Sequence, residues 1–108
     1  MKTNENIVAK LSERQRRHLR GLAHALEPVV MMGNAGLTEG VIKETIRALH
    51  DHELIKVKVR GPDRSARDTL LLELATRTGG ELVHRIGHVG VLYLRNPELS
   101  RIVIPDAI

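Results

Sequence analysis

Residues 28–40 read PVVMMGNAGLTEG, and this stretch decides the fold. Pro28 opens a short apolar run, Val29 to Met32, whose continuous hydrophobicity predicts a strand buried on both faces. A Gly-x-x-Gly loop follows at Gly33, Asn34, Ala35 and Gly36, and Thr38 is a cap for the helix after it. A strand, a glycine loop and a helix in that order begin a β-α-β unit. The same order suits the gripping of a phosphate backbone, because glycines let the main chain come close and a capped helix start attracts anions. Two glycines alone mark an ordinary turn just as well.

Working outward, the helix from Thr38 extends to about His50, with Val41, Ile42, Thr45, Ile46 and Leu49 on its apolar stripe. Residues 54–60 then alternate, Ile55, Val57 and Val59 against Lys56, Lys58 and Arg60, which is the pattern of a half-buried strand with a basic outer side. Those lysines fit two roles, protection of a sheet edge and contact with a ligand. Gly61-Pro62-Asp63 marks a turn, with Asp63 or Ser65 capping a third helix that Gly79-Gly80 ends. Residues 81–86 and 89–95 form a hairpin around Gly87-His88, the second strand reading as central and Tyr93 as core. Upstream, Ser12 and Gln15 make a capping box for a first helix over 12–25. The order is α-β-α-β-α-β-β. Strands joined through helices lie parallel and the final pair antiparallel, so the fold class is α/β with a mixed four-stranded sheet. One domain is expected over residues 1–96, with a tail at 97–108 whose Ile102, Val103 and Ile104 suit either a short edge strand or a partner contact.

Composition narrows the function. The chain has no cysteine, which excludes disulfides, thiolate metal sites and a thiol nucleophile. No run approaches the roughly 18 apolar residues of a membrane span, and the start MKTNENIVAKL lacks a signal-peptide core, so a cytoplasmic protein is expected. The net charge is +4, and all of the excess lies in the first 20 residues, which hold six basic and two acidic groups against eleven of each in the rest. That asymmetry suits a segment facing a polyanion. Tyr93 is the sole aromatic residue, which argues against an RRM-like or OB-like binding of single strands by paired stacking aromatics.

On the first helix Gln15, Leu19, Leu22, Ala23 and Leu26 share the packing face, while Arg16, Arg17, Arg20 and His24 gather opposite with Arg14 at the edge. With Lys43, Lys56 and Lys58 these are the candidate contacts for a backbone gripped by the glycine loop. Enzymatic readings find little support. The loop lacks the Gly-Lys-Ser/Thr ending of a nucleotide-binding P-loop. His50, Asp51, His52 and Glu53 sit where a helix gives way to a strand, a spacing that does not converge their side chains on a metal or a substrate. Neither a cofactor nor a metal is expected.

Three segments together resemble a known family: LSERQRRHLRGLAHALEPVVMMGNAGLTEGV (11–41), HELIKVKV (52–59) and IGHVGVLYLR (86–95). The chain resembles the CRM domain (chloroplast RNA splicing and ribosome maturation), in particular its stand-alone bacterial YhbY-like members. The resemblance implies a fold like the C-terminal domain of translation initiation factor 3, RNA binding without catalysis, and association with precursors of the large ribosomal subunit. It also implies RNA contact by the loop Gly33, Asn34, Ala35 and Gly36 and by the basic positions Arg14, Arg16 and Arg20, with Arg17 an addition. A monomer is expected. The rival reading is a protein-interaction module that sets the basic helix on an acidic partner.

Overall fold

The computed structural model describes residues 11–99 and 102–104, so Lys2 and Lys10 of the basic segment, and positions 100–101 and 105–108 of the tail, lie outside the described residues. Seven elements follow in the expected order: α1 (Glu13–Ala23), β1 (Pro28–Met32), α2 (Glu39–His52), β2 (Leu54–Val59), α3 (Arg64–Thr78), β3 (Glu81–Ile86) and β4 (Val89–Tyr93). The local chemistry is that of their ends. Ser12 Oγ accepts from the Gln15 amide at 3.1 Å while Gln15 Oε1 accepts from the Ser12 amide at 2.9 Å, closing the capping box on α1. Thr38 and Asp63 cap α2 and α3 in the same manner, accepting from Val41 and Ala66. Gly79, at φ +82°, turns the chain out of α3 in the left-handed conformation that glycine takes without penalty.

The sheet has the order β1-β2-β4-β3. β1 and β2 are parallel, and β4 is antiparallel to both of its neighbours, β2 and β3. Its two faces carry separate clusters. On one, α2 and α3 pack Ile42, Leu49, Leu71, Leu74 and Ala75 onto Val30, Met32, Ile55, Val57, Val59 and Leu92. On the other, α1 alone sets Leu19 and Ala23 against Leu54, Val83, Val91 and Tyr93. Gly90 is required by the first cluster. A Cβ there would stand 2.6 Å from Leu71 Cδ1, so the glycine lets α3 come close to the sheet.

Three expectations change. β1 is not buried on both faces: Val30 and Met32 point into the larger cluster, while Val29 and Met31 remain 47% and 49% exposed. β1 is one of the sheet's two edge strands, and the short α1 does not cover it. α1 ends at Ala23 rather than 25, and Leu22 and Leu26 of its packing face are 43% and 36% exposed. The second hairpin strand stops at Tyr93; beyond it the Leu94 amide donates to the Glu53 carbonyl at 2.9 Å. The tail forms no strand among the described residues. Ile102 and Ile104 instead lie against the α1 cluster, and Val103 O stands 2.8 Å from His18 Nε2.

Glu53 holds that tail. Its side chain is fully buried, and its carboxylate accepts from the Asn96 amide at 2.8 Å and the Ile102 amide at 3.3 Å. Its backbone, at φ +66°, bends α2 into β2, a conformation costly for a residue with a side chain.

Candidate nucleic-acid interface

The loop after β1 is a reverse turn. The Gly36 amide donates to the Gly33 carbonyl at 3.0 Å, with Asn34 and Ala35 exposed at its tip. The two glycines have different reasons. Gly36 sits at φ +74°, which explains it from within the fold. Gly33 is not in that region, and a Cβ built on it meets nothing within 4 Å. Neither backbone strain nor crowding from the described residues requires a glycine there, so the main chain at Gly33 is open to approach from outside.

The candidate cations separate into groups. Arg14, Arg17 and Arg20 are exposed on α1, and His24 is exposed at its C-terminal cap. Arg16 is not free: its guanidinium bonds Glu81 Oε2 at 2.6 Å and the carbonyls of Leu82 and Val83 at 2.7 and 3.2 Å, tying α1 to β3. Lys56 and Lys58 lie on the α1 side of the sheet, since they alternate with Ile55, Val57 and Val59 of the opposite cluster. β2 is an interior strand, so edge protection does not explain these lysines. Lys43 is exposed on α2, across the sheet from α1 and apart from the other candidate cations.

Two residues outside the expected set belong to the same region. Arg60 is exposed where β2 leaves the sheet, and its amide donates to the Met32 carbonyl at 3.0 Å, directly before the loop. The alternation Lys56, Lys58, Arg60 carried its signal in the sequence. His84 of β3 is the other. Partial burial is the main cause that lowers its imidazole from the usual 6.5, and the charges of Arg20 and then Arg85 lower it further. Arg20 therefore overlooks β3. With the folded value depressed, the His84 contribution to stability is complete above pH 6.5 and is lost as pH falls from there through the lower folded value, because the unfolded chain binds the proton first. Arg20→Gln is expected to move the His84 imidazole back upward in an NMR titration; no movement would mean that the arginine's field does not reach it.

Elsewhere the chemistry is structural. His50 Nδ1 stands 3.3 Å from Asp51 Oδ1 and Glu53 turns inward to the tail, so the His50–Glu53 segment does not converge. Among the described residues there is no group of three or more acidic and histidine side chains able to hold a metal, and no helix long and apolar enough to cross a membrane. A cavity of about 610 Å³ between α1, the start of β1 and the tail is lined chiefly by aliphatic side chains such as Leu22, Leu26, Val29 and Ile102. Among the described residues it gathers no arginine or lysine.

The chain is similar to proteins named for RNA binding. A Haemophilus influenzae protein named as RNA-binding is 48% identical over 98 residues, covering 91% of this chain and 98% of its own. A probable RNA-binding protein of Pseudomonas aeruginosa is 42% identical over 91 residues, covering 84% and 88%. The solution structure of a Staphylococcus aureus protein for which RNA binding has been suggested superposes with a TM-score of 0.80 at 35% identity, over 89% of this chain and all of that one. By name the two sequence relatives are an RNA-binding and a probable RNA-binding protein, and the Staphylococcus aureus structure shares with this chain the fold of three helices on a mixed four-stranded sheet. The family model that spans residues 11–94 takes in all seven elements: the chain belongs to the CRS1/YhbY (CRM) domain family.

Proposed function

We propose that this protein binds RNA by its backbone, with the turn at Gly33, Asn34, Ala35 and Gly36 seating a phosphate and with Arg14, Arg17, Arg20, His24, Lys56, Lys58 and Arg60 supplying the attraction. The observation that carries this reading is Gly33, a glycine that the fold does not need, placed beside the exposed cations of β2 and its exit. The turn spends the Gly36 amide on itself, so the donors it can turn outward are those of its exposed tip, Asn34 and Ala35. Contacts of this kind position a protein on RNA and read little sequence. Lys43 extends the surface on the α2 side and Arg16 supports it from within. We further propose that the RNA is ribosomal, in precursors of the large subunit whose assembly the protein assists in the cytoplasm as a monomer. This step rests on the family resemblance of its loop and basic helix.

Gly33→Ala tests the loop. The variant is expected to fold with unchanged thermal stability and to bind RNA about tenfold more weakly, since an added methyl blocks close approach without removing a charge. Wild-type affinity retained at moderate salt would remove the loop from the interface. Sedimentation of cell extracts tests the ribosomal step: the protein should co-migrate with incomplete large subunits, and its absence from those fractions would count against that step alone.

A further inference from the structure

The register of the sheet places four side chains in one line across all four strands. Met31 pairs with Lys58, Lys58 with Val89, and Val89 with Ile86. Directly paired residues share a face, and this is the α1 face, because Lys58 alternates with the Val57 and Val59 of the other cluster. The line lies two residues along β2 from Lys56 and four from Leu54, which α1 covers. Among the described residues it is largely uncovered: Met31 is 49% and Ile86 65% exposed, Lys58 is exposed and Val89 is half-buried. At ordinary strand spacing it runs about 14 Å from the edge strand that feeds the glycine turn to the opposite edge.

An aliphatic strip this wide, crossed by a lysine and bordered by Lys56, Arg20 and His84, is unsuited to a purely ionic partner and unsuited to a purely apolar one. It fits a polyanion that also presents flat apolar faces. A four-stranded sheet has room for two or three bases of a crossing strand, which some RNA-binding sheets hold on aromatic side chains. No aromatic residue is on this strip, but a thioether and branched aliphatic side chains offer contact to a ring face, and the Met31 side chain adapts to different rings.

Resting on the RNA-binding reading, we propose that the line Met31, Lys58, Val89 and Ile86 seats unpaired nucleobases, so that the segment bound beside the glycine turn is single-stranded rather than duplex RNA. A duplex hides its base faces and would leave the strip exposed. A single strand lays its bases on the strip while its phosphates reach Lys56, Lys58 and Arg20.

The test compares a short unstructured adenosine-rich RNA with a blunt RNA duplex of the same strand length, each titrated into the wild-type protein and into the double variant Met31→Ser, Ile86→Ser. Both substitutions are at exposed positions and leave the charge unchanged. The expected result is tighter binding of the single strand, a loss of about tenfold for that ligand in the variant, and no change for the duplex. The salt dependence of single-strand binding should keep its slope, since no cation is removed. Equal losses for both ligands, or no loss for the single strand, would overturn the proposal while leaving RNA binding in place. Failure of the wild type to bind either RNA at low salt would instead overturn the reading on which it rests.

Discussion

Simultaneous replacement of Arg17, Arg20 and Lys58 by Glu is expected to lower RNA affinity by a factor of about 10² to 10³ in a protein that remains folded. All three side chains are exposed, on α1 and on the uncovered part of the sheet, and none of them forms an ion pair among the described residues. Each phosphate contact removed should flatten the logarithmic salt dependence by roughly 0.7 to 0.9, so the slope should fall by about 2 for the set. Substituting Arg16 by Glu is a contrasting control. It would place two carboxylates where Arg16 now bonds Glu81 and leave the carbonyls of Leu82 and Val83 without that donor. The cost there is stability, about 1–3 kcal/mol for lost charge-assisted hydrogen bonds. Thermal unfolding and filter binding measured on both proteins separate the two outcomes. An unchanged Kd for the folded triple variant would show that this face does not meet RNA.

The largest effect on stability is expected at Glu53. Glu53→Ala removes the buried carboxylate that receives the Asn96 and Ile102 amides and keeps an unfavourable backbone angle. Buried donors left without an acceptor cost about 1–3 kcal/mol each, so a loss of about 3 kcal/mol and a fall in Tm of roughly 12–20 °C are expected. Glu53→Gln keeps one acceptor oxygen and should lose about half as much. Because the tail segment at Ile102 and Ile104 closes over the α1 cluster, its amides should lose protection from hydrogen exchange in Glu53→Ala before those of β2 and β4 do. Equal stability of the alanine variant and the wild type would mean that the carboxylate does not organise the tail.

The order of elements and their caps were legible in the sequence, because Ser12 with Gln15, Thr38, Asp63 and Gly79 act over three or four residues. What failed depends on partners far along the chain. The run Val29–Met32 predicts burial on both faces, yet which face is covered depends on where α1 lands and on β1 being an edge. Arg16 looks like any other cation of its helix until β3, some 65 residues away, supplies its acceptors. The two roles open for Lys56 and Lys58 could be separated only by strand order, which puts β4 beside β2 across an intervening helix and strand. Glu53 lay in a segment read for metal chemistry, and its purpose shows only when the tail returns to it. Within the candidate interface, residue types were legible and their grouping was not.

The position of β2 inside the sheet has a consequence for the thermodynamics of association. Its register is fixed by a neighbour on each side, so the backbone beneath Lys56 and Lys58 holds these charges about two strand steps, or roughly 7 Å, apart before any ligand arrives. A basic arm that orders on contact loses main-chain entropy at that moment and binds more weakly for its contact area. Here that ordering is complete when the chain folds, and the hydrophobic cluster of Ile55, Val57 and Val59 sustains it. Only side-chain rotamers remain to be restricted on binding, so a small set of cations can hold a flexible polymer at a defined pitch.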